Sequence, residues 1–186
     1  MTVPQPMTPL AFFQLFFSYE LLLFFTEETN DYAHYVREEL RKKSSFPWSD
    51  VSVQDVARYL GIIMWMGIIK LPAMSMYWAR NQTYSMPSFG RVMARRRFEA
   101  IGKYFHSFNR RAIPKNNTDR LIILRPVIDY VRDKCVSIYV PDKNLSLDEG
   151  MMKWKGRLNI KVYNPNKPTK YGLKFYFLCE SQSGYV

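Results

Sequence analysis

The 186-residue sequence predicts an α+β protein, with a helical N-terminal part followed by a short run of strands. Three observations predict it. Apolar residues recur at helical spacing over the first two-thirds of the chain, behind cap signals at Thr8-Pro9 and Ser52-Val53-Gln54-Asp55. After Val140-Pro141 the apolar period falls to two, as in a strand. The turns joining those alternating stretches are rich in Pro, Gly, Asn and Lys. The length allows one domain or two small ones, and 47% hydrophobic residues suffice for a packed core.

Thr8 is a cap and Pro9 suits a first helical position, so a helix is predicted from there to about Phe25. A second, charged helix is predicted over 27–43, broken by Pro47. The capping box at Ser52 to Asp55 opens a third, ending near Lys70 before Leu71-Pro72. Short helical pieces are expected around 72–78 and 87–93. Further helices are expected from Arg95 to about Phe105 and from Thr118 to Val136. Phe12, Phe13, Phe16, Phe17, Trp65 and Phe105 fall at helical spacing and read as packing residues. Strands are predicted at Leu145–Asp148, Arg157–Tyr163 and Gly172–Glu180, the last with Leu173, Phe175, Phe177 and Cys179 on one face. The change of pattern near 137–144 divides the chain into parts 1–140 and 141–186.

Net charge is +11, and it is unevenly placed. Residues 1–89 carry 7 basic and 8 acidic side chains; residues 90–186 carry 20 and 8. A half this basic favours a polyanion, nucleic acid ahead of a membrane surface. Cys135 and Cys179 lack zinc-like spacing to His34 or His106, so both read as buried thiols in a reducing compartment. His106 reads as structural and His34 as exposed. Met1–Pro9 has three prolines and no basic region, so no secretory signal is expected. The greasy runs 10–25 and 59–71 are too short or too polar for a membrane span. Asp148, beside a basic surround, fits metal-dependent phosphoryl chemistry, in which carboxylates hold divalent ions and Lys or Arg hold phosphates. Pleating places it opposite Leu145 and Leu147, which should pack while Asp148 faces a cleft. A lone strand Asp is more commonly a surface acid.

The strongest motifs are Asp148-Glu149, then Lys155-Gly156-Arg157, then Tyr163-Asn164-Pro165-Asn166-Lys167-Pro168-Thr169-Lys170-Tyr171-Gly172-Leu173-Lys174. This series resembles the opening of the catalytic domain of piggyBac-family transposases and proteins derived from them. Thr8 to Phe13, Leu60 to Pro72 with Tyr77-Trp78, and Met93 to Phe98 with Phe105-His106 resemble the family's upstream helices, in the same order. Arg110-Arg111 departs from the acid that many members carry after the equivalent of Asn109.

The resemblance implies a cut-and-paste DNA enzyme. Its RNase H-like domain binds two Mg²⁺ ions with three aspartates, behind a helical dimerisation and DNA-binding domain. Asp148 matches the first aspartate and metal ligand. The other two, the later strands and the zinc-binding domain lie beyond the equivalent of Val186, so residues 141–186 are expected to be the first three strands of an incomplete domain. Glu149 should face away from Asp148, and Glu180 has no matching role. One carboxylate does not hold two Mg²⁺ ions, so no stable metal binding and no DNA cleavage or joining are expected from these residues alone. Expected phosphate contacts are Arg95, Arg96, Arg97, Arg110, Arg111, Lys153, Lys155, Arg157, Lys167, Lys170 and Lys174. DNA, a second copy or a full-length relative are the expected partners, without a membrane, in the nucleus. Three readings follow: a truncated DNA-binding derivative, a fragment of an active transposase, or a non-enzymatic dimerisation module in which exposed Phe175 and Phe177 favour association.

Overall fold

The computed structural model describes residues 8–40, 47–80, 87–109 and 113–185. It contains helices α1 (Pro9–Phe16), α2 (Tyr19–His34), α3 (Val53–Ile68), α4 (Pro87–Val92), α5 (Arg95–Tyr104) and α6 (Arg125–Ile138). Strands β1 (Leu145–Lys153), β2 (Val162–Tyr163) and β3 (Tyr171–Glu180) follow. The mixed helix and antiparallel-strand content is the α+β class that the sequence predicts.

The first predicted helix is divided. Thr8 caps α1 as expected, but α1 ends at Phe16, and Ser18 opens α2 by accepting a hydrogen bond from the Leu21 N–H. The axis bends by 56° there. Periodicity does not register the break because the apolar run continues across it, and the capping serine decides. α2 then runs past the predicted stop at Phe25 to His34 and tightens into a π-helical turn, Tyr35–Glu39. No α1 residue is buried and Phe12 is exposed, so the α1 aromatics do not join this chain's core; Phe13 and Phe17 stack on each other at 4.4 Å.

The capping box forms as predicted. Ser52 and Asp55 exchange hydrogen bonds, and α3 follows. A 3₁₀ turn (Met74–Trp78) is tied by Tyr77, whose hydroxyl donates to the Ile69 carbonyl and accepts from the Leu71 N–H. Trp65, Tyr77 and Trp78 surround the fully buried Phe89. Ala33, Val36 and Tyr104 form a second buried group with Tyr32, Tyr35 and Trp48 packed on it. Thr29 is buried beside them and accepts from the His106 N–H. His106 stacks on Tyr32 at 4.0 Å, a structural placement. Both cysteines are free, and they are half-buried rather than buried as the sequence suggests.

Residues through Ile113 cluster as one compact unit and those from Pro114 as another. α6 therefore groups with the strands, although helix gives way to strand near 140. α6 also begins later than predicted: residues 119–124 form turns around Asp119, which accepts from the Leu121 N–H and pairs with Arg125.

The sheet order is β1-β3-β2, antiparallel throughout. β1 is longer than predicted, whereas β2 keeps two residues of the predicted Arg157–Tyr163. Gly172 is required at the centre: a Cβ there would lie 2.1 Å from the Met152 carbonyl oxygen. A Cβ on Gly150 would lie 2.3 Å from the Phe177 ring. The register puts Ser146, Asp148, Gly150, Phe175, Phe177 and Cys179 on one face. Leu145, Leu147, Glu149, Met151, Lys174, Tyr176 and Leu178 take the other. Leu145 and Leu147 do not pack as expected; both are exposed, Leu147 at 70%. Tyr176, Leu178, Phe175 and Phe177 are exposed as well, so apolar surface lies on both faces.

Glu180, 3% exposed, closes the end of β3. Its carboxylate accepts from the Ser183 hydroxyl (2.5 Å) and N–H (2.7 Å), from the Gln182 N–H, and from the Tyr139 hydroxyl beyond α6. The Ser183 hydroxyl is the first cause of a carboxyl held below its usual range.

Candidate nucleic-acid interface

The strands create an open cleft of about 440 Å³ beyond the end of β1. Trp154 N–H donates to the Tyr171 carbonyl and Asn164 N–H to the Lys170 carbonyl, fixing the end of β1 against the 164–170 turn. Pro165 and Pro168 stiffen that turn. Lys153, Trp154 and Lys155 form one side of the cleft; Pro168, Thr169, Lys170 and Tyr171 form the other; Lys161 completes it. No carboxylate lines it. Lys161 is turned in by the chain itself, its ammonium donating to the Gly156 carbonyl at 3.3 Å. Four lysines around one cleft make a concentrated positive field, suited to phosphates by charge.

Of the expected phosphate contacts, the structure brings Lys153, Lys155 and Lys170 into this cleft. Arg157 is exposed just beyond it. Lys167 is half-buried and donates to the Glu149 carbonyl at 3.4 Å. Lys174 lies on the other side of the sheet from Asp148, 2.5 Å from Glu149 and over the Tyr176 ring; the Glu149 hydrogen bond raises its pKa. Trp154, Lys161 and Tyr171 were not legible as partners of these lysines, because their approach depends on the turn closing.

The arginine run on α5 separates into three roles. Arg95 pairs with Glu99 one turn on, at 2.7 Å. Arg96 is exposed. Arg97 clamps the chain before α3: it donates to the Ser49 carbonyl (2.6 Å) and hydroxyl, the Asp50 carbonyl and the Asp55 carboxylate (3.0 Å), and lies 5.6 Å over Trp48. Burial would raise the Asp55 pKa, but the Ser52 N–H and Arg97 outweigh it and hold the carboxyl low. Arg110 and Arg111 lie outside the described residues.

Asp148 is exposed on β1, and its carboxylate accepts from the following Glu149 N–H at 2.7 Å. Glu149 faces the other side, with Lys174, and the Glu180 oxygens are taken up by Ser183, Gln182 and Tyr139. Among the described residues no three His, Cys, Asp or Glu side chains come together as a metal-binding group. Octahedral Mg²⁺ needs six oxygens, and one carboxylate supplies two at most, so these residues by themselves do not fit a two-metal centre. No single described helix is long and apolar enough to cross a membrane; α1 and the α2–π-turn segment pass that test only as a bent pair.

A family model described as Transposase IS4 matches residues 8–186. The chain belongs to the piggyBac transposase family. It is 28% identical over 118 residues to PiggyBac transposable element-derived protein 3 of Homo sapiens, covering 63% of this chain and 20% of that protein. Against PiggyBac transposable element-derived protein 2 of Homo sapiens, identity is 27% over 185 residues, 98% of this chain and 29% of the relative. A solved cryo-EM structure, a piggyBac transposase synaptic complex with hairpin DNA, superposes with a TM-score of 0.77 at 26% identity, covering 94% of this chain and 36% of that one. This piggyBac-family chain thus spans less than a third of the length of these two curated relatives.

Proposed function

We propose that this chain is a DNA-binding part of a piggyBac-type transposase or a protein derived from one. The observation that carries this reading is the cleft of Lys153, Lys155, Lys161 and Lys170, free of carboxylates, in the half of the chain that holds the excess charge. The solved relative's synaptic complex with hairpin DNA supports DNA as the polyanion. In this reading the helical part serves dimerisation and DNA binding, the strands begin an RNase H-like domain, and the protein works in the nucleus. Asp148 is then the first carboxylate of a metal-dependent site that needs two further acids. Residues 1–186 neither cut nor join DNA unaided, because no second metal-facing acid accompanies Asp148 on its strand. Whether such acids follow in a longer chain separates a transposase segment from a DNA-binding derivative.

The test is equilibrium binding to duplex DNA across a salt series. Each phosphate neutralised steepens the fall of log affinity with log salt by about 0.9. Lys155→Ala combined with Lys170→Ala is expected to flatten that slope by about two. An unchanged slope would reject the cleft as the contact surface. A second reading, a non-enzymatic association module, draws on the exposed Leu147, Tyr176, Leu178, Phe175 and Phe177. Sedimentation showing a dimer that is indifferent to DNA would favour it.

A further inference from the structure

Phosphate binding accounts for the lysines of the cleft but leaves its aromatic side chains unexplained. Trp154 is 40% exposed and lies along the cleft between Lys153 and Lys155. The Nε1 edge of its indole packs against Gly156: a Cβ on that glycine would come within 2.6 Å of Nε1 and 3.0 Å of Cε2. A part-exposed indole with lysines around it has the features of a stacking platform. Tyr171 stands across the cleft, its ring held 4.7 Å from Tyr163. A cleft of about 440 Å³ has the volume of a small-molecule site, room enough for one base with its sugar.

We propose that this cleft takes an unpaired nucleobase of DNA, stacked on Trp154, with the flanking phosphates on Lys153, Lys155, Lys161 and Lys170. The proposal rests on the DNA-binding reading of the same cleft and specifies the form of DNA that enters it. In duplex DNA every base face is covered by its neighbours, and an aromatic floor gains nothing. In an unpaired strand each base offers a π-face, and stacking is sequence-tolerant. Stacking reads no base edge, and the lining carries no Asn, Gln, Asp or Glu, so base discrimination is left to Thr169 and the lysines and broad tolerance is expected.

The experiment is fluorescence anisotropy with two probes, an oligothymidylate and a duplex of matched length, on the full chain. Trp154→Ala is expected to weaken oligothymidylate binding about tenfold while duplex binding stays within about twofold. Trp154→Phe should retain most of the affinity, and Lys155→Ala should weaken both probes. If the wild type binds duplex with a normal salt slope and Trp154→Ala affects both probes alike or neither, the stacking proposal is overturned while the DNA reading stands. If the wild type binds neither probe, both fall. Photocrosslinking of the wild type to bromouracil-substituted oligonucleotide gives an answer independent of variant folding. A crosslink at Trp154 or Tyr171 is expected, and one mapping only outside the cleft overturns the proposal.

Discussion

Arg97 shows how a residue's neighbours in sequence misstate its work. In the run Arg95-Arg96-Arg97 all three read as equivalent phosphate contacts, but successive helical positions are about 100° apart, so three adjacent side chains leave in three directions. Arg97 turns onto Ser49, Asp50 and Asp55; Arg96 is exposed. Arg97→Ala strands a partly buried carboxylate and two carbonyls, and should cost about 1–3 kcal/mol of stability. Arg96→Ala should leave stability within about 0.5 kcal/mol. Thermal denaturation of both variants checks this, and equal melting temperatures would sink the assignment. His34 gives a pH-dependent counterpart. It sits between Glu38 at 3.1 Å and Asp50 at 2.9 Å, and the Glu38 hydrogen bond leads in raising its pKa above 6.5. A raised folded pKa stabilises fully below the unfolded value and is lost as pH rises through the folded one. Melting temperature should therefore slip slightly on raising pH above 6.5, and His34→Gln should remove that slope. The effect is small, because His34 is nearly half exposed and salt screens it.

At the level of elements, caps were legible where a side-chain oxygen precedes the start of an apolar run, as at Thr8 and at Ser52 with Asp55. Ser18 carries the same chemistry but is hidden inside a continuous apolar stretch, so its break in the helix emerges only from the backbone. Ser18→Ala should cost about 1 kcal/mol and reduce the helical signal in circular dichroism. Strand β3 was legible from its alternation. The shortness of β2 was not, since residues 158–161 form the turn that points Lys161 at Gly156 and shapes the cleft. The two strand glycines differ in what opposes them. Gly172→Ala drives a Cβ into the backbone of β1, which cannot yield without breaking the ladder; Gly150→Ala meets a Phe177 ring that can rotate. Gly172→Ala should destabilise the sheet more than Gly150→Ala, read by amide hydrogen exchange in β1 and β3. The reverse order would contradict the register.

For the whole molecule, the motif order pointed to the family to which the chain belongs, while the charge imbalance pointed only to a polyanion. Their reach stops at the cleft, because lysines separated by up to 17 positions converge only when β1 and the 164–170 turn meet. Purified protein supplied with Mg²⁺ and supercoiled DNA should show no nicking above background, and nicking abolished by Asp148→Ala would overturn the one-acid argument. One further consequence comes from the strand order. With β3 in the middle, β1 is paired with a strand on one side only among the described residues. On its other side alternate peptide groups point outward, bordered by apolar side chains, and only those of Glu149 are seen to be taken, the N–H by Asp148 and the carbonyl by Lys167. Such an edge can seed strand addition by another molecule. Concentrated solutions should then show a lag before turbidity, a lag that shortens as protein is added, and fragments of preformed aggregate should abolish it.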